Sequence, residues 1–399
     1  MKSILYYLDP RTELNDKMFR YATLRSYLLP EIQGLKKADP SLEVKIILSK
    51  NIFTQAIKNG LKFDDVECFI VDEDFFESRL SQDNCSTSIS LYHNTLNEKD
   101  NNVIKGIIRE SIPESYYPDL IISYESPAPF LKEMFPDALL LNSMFGIFSR
   151  APYPAYGLLD PCGLYEYSYQ YKYAERIRQE KISSDERDVI NLLRKQTTES
   201  LATHHPLKKY ISSLYERFDR LIVLACQVDN YFSYNGCTQY ASQFEMVKDV
   251  LAHTSDKIGV IVTEHGYKRQ INDEQLKYLS DNFSGFIYFS EKDMPTPTQF
   301  ILPYIDGALS VSSSIGYQAA LWQIPYFGLG CSQVDIFSSH NSIQDFFRDV
   351  NIGEKYDRDN IIYTLLSKIH LSHKNDLFDG DKYIIILILT RHFRTAFVS

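Results

Sequence analysis

The chain has 399 residues, 44% of them hydrophobic and 24% charged, a balance that fits a soluble globular protein too long for a single core. A net charge of −10 with no basic run argues against a nucleic-acid partner. The six cysteines are scattered without a CxxC pair, which fits reduced thiols in a cytoplasm better than a disulfide framework. The start, MKSILYYLDP, reads as a first strand and not a signal peptide, and the longest late apolar run, 383–389, is far short of a bilayer span.

In chain order, strands are expected at 3–8, 44–49, 68–72, 120–124 and 138–142, with amphipathic helical stretches at 17–36, 52–60 and 101–112 between them. Such alternation predicts a parallel sheet covered on both faces. Residues 143–170, rich in Pro, Gly and Tyr, interrupt the pattern, and Asp160, Pro161 and Gly163 make a turn there. Charged helices follow at 171–196 and 206–217. The theme then restarts with strands at 220–226, 257–263, 285–290, 307–312 and 324–330, and helices at 237–253, 273–282, 314–322 and 359–370. The expected fold is α/β, with two Rossmann-like domains facing across a cleft. These are residues 1–215 and 216–399, the final helix being free to pack back on the first domain.

Ligands of open parallel sheets bind beyond the carboxyl ends of the strands, at the point where strand order reverses. Four segments meet that rule, Gln227–Ser233, Glu264–Tyr267, Ser290–Lys292 and Ser312–Gly316, all in the second half, so a nucleotide-type site is expected there. Ser312, Ser313 and Ser314 are expected to cap a helix beginning near Ile315, whose free amides would attract an anion. Gly316 would let a phosphate approach the backbone; a plain capped helix is the alternative. His265, one residue past Glu264, can donate to a phosphate or act as an acid, or simply sit in a loop. Gln227, Asp229 and Asn230 offer a nucleophile or base at the strand end, or else an Asp/Asn turn. The acidic pairs Asp72/Asp74, Asp357/Asp359 and Asp379/Asp381 have the form that holds a divalent cation on a nucleotide sugar, but none falls on the rim. They read as solvated or capping carboxylates, and no metal is expected. Zinc spacing, GxSxG, P-loop and GxGxxG are all missing from the sequence.

Taken in order, Asp160-Pro161-Cys162-Gly163-Leu164-Tyr165, Gln227-Val228-Asp229-Asn230, Glu264-His265 and Ser312 through Pro325 resemble a known set. They are similar to the bacterial capsule and O-antigen enzymes that transfer Kdo (3-deoxy-D-manno-oct-2-ulosonic acid). The nearest are the retaining β-Kdo transferases of glycosyltransferase family 99, which occur as modules of larger synthases. The resemblance covers roughly residues 150–330.

It implies a GT-B-like fold, CMP-β-Kdo as donor, no metal or other cofactor, and retention through a covalent Kdo–enzyme intermediate on an aspartate. Gln227, Glu264, His265, Ser312, Ser313, Ser314 and Gly316 would hold the donor, with Asp229, Asn230 and His265 at the reacting centre. Glu125, Asp160 and Gly163 would lie on the acceptor side. Implied partners are a lipid-linked or oligosaccharide acceptor and other synthase modules, in the cytoplasm or peripherally at the inner face of its membrane. In one respect the chain departs from the family: a gap-free match puts Asn230 where members carry aspartate, leaving Asp229 as the alternative carboxylate. Other readings are an inverting CMP-sugar transferase of the sialyl type, a UDP-sugar epimerase, and a non-catalytic glycan-binding module of a synthase. A covalent sugar adduct separates the first from the retaining enzyme, competition of CMP against UDP separates the second, and turnover of CMP-Kdo separates the third.

Overall fold

The computed structural model describes residues 1–11, 17–64, 66–149, 151–201, 205–266, 269–289, 297–348 and 356–397. Its strands are β1 (Ser3–Tyr7), β2 (Glu43–Ser49), β3 (Glu67–Val71), β4 (Leu120–Tyr124), β5 (Leu139–Phe145) and β6 (Tyr156–Asp160), then β7 (Arg220–Ala225), β8 (Ile258–Thr263), β9 (Phe286–Phe289), β10 (Gly307–Ser310), β11 (Tyr326–Gly328) and β12 (His370–Ser372). They form two sheets, each in a compact unit of its own.

The first unit comprises Met1–Gly146, Ala155–Leu164 and His370–Ser399. β1, SILYY, is buried along its whole length. Ile4 and Tyr6 enter one core with Val44, Ile46 and Leu120, while Leu5 and Tyr7 enter the opposite core with Ile47, Phe69 and Ile121. Side chains alternate across a strand, so a strand covered on both faces must be apolar at every position. The sheet order is β12-β6-β5-β4-β1-β2-β3. β1 to β5 are parallel, whereas β6 and β12 add antiparallel to one edge. Those two strands escape sequence reading. One is five residues long among prolines and tyrosines and the other only three, too short for a period of two to register. The helix Gly380–Phe397 lies on the helix Leu29–Ala38 at glycine distance, because a Cβ at Gly380 would come within 1.9 Å of the Gly34 carbonyl oxygen.

The second unit comprises Ile147–Pro154 and Tyr165–Ile369, so the division at residue 215 is not where the chain changes units. Side chains of the preceding helices account for this. Gln170 donates to the Tyr317 hydroxyl (3.0 Å) and the Gln333 carbonyl (2.7 Å). Arg178 donates to the carbonyls of Asp335 and Ile336, each at 2.9 Å, and Arg194 reaches the Leu321 carbonyl (2.7 Å) and Asp359 (2.8 Å). The sheet is wholly parallel, in the order β11-β10-β7-β8-β9. Counted from β7 this is the order of the first five strands of the first unit, 3-2-1-4-5, and it reverses between β7 and β10. Helices of the second unit include Gln243–Ala252, Asp273–Asn282, Ile315–Leu321 and Arg358–Thr364, the last continuing as a π turn, Leu365–Ile369. The first begins six residues later than expected, since its cap is Ser242.

Asp335 closes a short turn by accepting from the Ser332 amide at 2.8 Å, while its other oxygen has no hydrogen-bond partner among the described residues. Burial pushes its carboxyl up to about 7, against the lowering effect of the Ser332 amide and the Arg178 charge. An unfolded aspartate releases its proton near pH 4. Between about pH 4 and about 7 the folded chain therefore holds a proton that the unfolded chain has lost, and stability falls as pH rises through that window. Asp335→Asn should flatten this slope and unfold at a higher temperature than the parent at pH 8. Calorimetric scans at pH 5 and pH 8 with equal slopes for both proteins would refute the assignment.

Candidate functional site

The carboxyl ends of β7, β8 and β10 carry three of the four segments expected on the rim. Tyr267 and Ser290–Lys292 lie outside the described residues. From β7 the chain runs into Cys226 and Gln227, and the Gln227 side chain spans the reversal point to β10. Its Nε2 donates to the Ser312 hydroxyl at 2.8 Å, and its Oε1 accepts from the Ser312 amide, also at 2.8 Å. The Gln227 amide donates to Gln243 at 3.2 Å. From β8 comes Glu264, 5% exposed, whose Oε1 accepts from the amides of Gln270 (3.1 Å) and Ile271 (2.9 Å). The Gln270 side chain in turn accepts from the Asp229 amide at 3.2 Å. Three segments distant in sequence are thereby joined by hydrogen bonds, Ser312 to Gln227 and Asp229 through Gln270 to Glu264.

An open cavity lies at this edge, and its wall includes Glu264, His265, Thr298, Ser313, Ser314 and Gln318. Gln227, Asp229, Asn230, Ser312 and Gly316 are not part of the wall. Gln318 is 2% exposed, and its Oε1 finds no hydrogen-bond partner among the described residues. A buried acceptor left unpaired costs about 1–3 kcal/mol. Burial first, and then the neighbouring Glu264 carboxylate, push the Tyr288 hydroxyl up to about 12.

The serines do not act as the sequence suggests. Ser314 occupies the N-cap position but makes no capping bond with its side chain, and among the described residues Ser313 Oγ reaches only the Ile315 amide, at 3.4 Å. The Ser312 hydroxyl donates to the Ser233 carbonyl, so it fastens the strand end instead of capping. Gly316 is a glycine for packing: a Cβ there would meet Val334 at 2.2 Å and Tyr326 at 2.9 Å. Asn230 is exposed and has φ 57°, a left-handed conformation that asparagine adopts more readily than most residues. His265 is half-buried on the wall.

Glu125, Asp160 and Gly163 belong to the first unit. Glu125 follows β4 with φ 44°, its amide donating to the Ser143 carbonyl (2.7 Å) and its carbonyl accepting from Arg20 (3.0 Å). Asp160 is buried and accepts from the amides of Cys162 (2.7 Å) and Gly163 (3.2 Å), which makes it the clasp of its own turn. Of the acidic pairs, Asp72 is held by Lys50 at 2.8 Å. Asp357 and Asp359 pair with Arg187 and Arg194, and Asp379 accepts from the Lys382 amide. Sequence reasoning missed Gln318, Thr298 and Gln270. Gln318 did carry a signal, since it stands four residues after Ser314 and hence on the same helix face. Gln270 carried none, being a loop residue that only the fold brings to Asp229.

Gln227→Ala leaves the Ser312 amide and hydroxyl without their partner at the strand ends. The expected loss is about 1–3 kcal/mol of unfolding free energy in urea, with Gln227→Glu recovering only the accepting half of the pair. A loss below about 0.5 kcal/mol would mean that water replaces the carboxamide without cost.

No protein-family description matches the chain, and no curated protein matches it. Solved structures do. A β-Kdo 2,7-transferase, KpsC of Thermosulfurimonas dismutans, aligns at 15% identity and TM-score 0.40 over 73% of this chain and 93% of that one. The UDP-GlcNAc 2-epimerase of Neisseria meningitidis aligns at 11% identity and TM-score 0.39 over 98% and 100%. The N-terminal domain of trehalose-6-phosphate phosphatase from Candida albicans aligns at 11% identity and TM-score 0.46 over 97% and 98%. The fold assignment rests on the two sheet orders and not on these likenesses.

Proposed function

We propose that the protein is a retaining glycosyltransferase that moves β-Kdo from CMP-β-Kdo to a growing bacterial surface polysaccharide, O-antigen or capsule. The observation that supports this reading is the hydrogen-bonded set of strand-end segments, Ser312–Gln227 and Asp229–Gln270–Glu264, beside a polar cavity where the sheet order reverses. A pocket with a few convergent polar groups at such a point is the usual place for a nucleotide in this class of fold. The unpaired Gln318 oxygen on the wall calls for a donor from a ligand.

In this reading the hydroxyls of Ser313 and Ser314 and the ring of His265 hold the CMP phosphate. The Asp229 carboxylate attacks the anomeric carbon, the bond from that carbon to the phosphate oxygen breaks, and CMP leaves with the electron pair. An acceptor hydroxyl then attacks the same carbon from the vacated face, loses its proton, and frees Asp229, so two inversions give retention. Asn230 is a turn residue, because its left-handed backbone accounts for the amide, and Asp229 is the carboxylate of the pair.

Asp229→Asn should abolish the Kdo–enzyme adduct seen by peptide mass spectrometry after incubation with CMP-Kdo, whereas Asn230→Asp should leave turnover within a few-fold. An adduct mapped outside residues 229–230 would overturn the mechanism. His265→Ala should weaken CMP binding in calorimetry by about tenfold or more, the scale of one charge-assisted hydrogen bond. UMP displacing CMP with equal affinity would count against a CMP-sugar donor. Each acidic pair has at least one carboxylate already held, Asp72 by Lys50, Asp357 and Asp359 by Arg187 and Arg194, and Asp379 by Lys382. Turnover should therefore persist in EDTA, and loss restored by magnesium or manganese would contradict the metal-free chemistry.

A further inference from the structure

The helix Gly380–Phe397 is apolar on opposite sides. Tyr383 and Leu387 are fully buried in the core of the first unit. Ile385, Ile388 and Leu389 are 57%, 39% and 50% exposed, and their spacing of three and four residues places them in one stripe. A helix needs only one apolar face to pack on its own protein, so the second face is surplus to folding and suits a further apolar surface. Three side chains offer far less than the ~800 Å² per partner typical of a stable protein complex. Charge narrows the choice. The chain carries −10 overall, yet the helix carries Lys382, Arg391 and Arg394 against a single acid, Asp381. Of the acids just before the helix, Asp376 accepts from the Ser372 amide and Asp379 lies 3.9 Å from Lys382, while Asp381 in the first turn is exposed. No helix among the described residues is long and apolar enough to cross a membrane.

We propose that this stripe docks the protein on an anionic lipid bilayer, the helix lying in the plane of the surface. The apolar side chains enter the boundary between headgroups and acyl chains, and the cationic run that follows in sequence supplies attraction to lipid phosphates. This inference stands whether or not the donor is CMP-Kdo.

Sedimentation of the whole protein with vesicles of phosphatidylcholine, alone or mixed with phosphatidylglycerol, tests it. The protein should partition onto the mixed vesicles, and added salt should weaken that binding. Ile385→Ser with Ile388→Ser and Leu389→Ser should lower the partition coefficient about tenfold or more, with circular dichroism and Tm close to the parent. Arg391→Glu with Arg394→Glu, which leaves the stripe intact, should remove the preference for phosphatidylglycerol. Several results would overturn the proposal: a parent that stays in the supernatant with both vesicles, equal binding to both lipids, or unchanged binding by the triple variant. A dimer in light scattering that the triple variant abolishes would assign the stripe to self-association instead.

Discussion

The double hydrogen bond between the Gln227 carboxamide and Ser312 joins the ends of β7 and β10, the two strands between which the second sheet reverses its order. Parallel neighbours at a reversal point send their chains in opposite directions, so the last backbone groups lose their ladder partners there. A carboxamide can donate and accept at once, and Gln227 does both with a single residue opposite it. The position of Ser313 and Ser314, and hence one wall of the cavity, follows from where Ser312 is held.

The first unit repeats the strand order but closes the equivalent point differently. Beyond β1, Arg11 is fully buried and pairs with Asp9 through Nε at 3.0 Å and Nη2 at 2.5 Å. Beyond β4, the Arg20 guanidinium donates to the carbonyls of Tyr124 and Glu125 and to the Ser126 hydroxyl, each at 3.0 Å. Charges there turn to the protein's own carbonyls and carboxylate, although Nη1 of Arg11 is buried with no hydrogen-bond partner among the described residues. In the second unit the same topological place is built from neutral amides and hydroxyls, and the cavity beside it keeps polar groups to spare. One topology thus carries a charged brace in one unit and a candidate ligand edge in the other.

Most strands were legible because both faces of each parallel sheet are covered. β1 and β7 are apolar runs with no alternation, which is the signature that burial on both sides imposes. The rim segments were legible for the same reason, since a run of this kind stops where the strand leaves the cores. The serine cluster stands at the expected strand end, yet its expected capping does not occur, because the Ser312 hydroxyl finds the Ser233 carbonyl and its amide finds Gln227. Local pattern could not foresee a competing partner 85 residues away.

The sequence by itself determined the class of fold, the strand ends on which a site could form and the residue types standing there, because burial and chain turning leave local marks on composition. Tertiary structure alone decided that Gln270 links Asp229 to Glu264, that Gln318 stands unpaired on the cavity wall, and that residues 165–214 belong with the second sheet. Those outcomes depend on hydrogen bonds between segments far apart in the chain, and such bonds carry no periodicity for a local reading to detect.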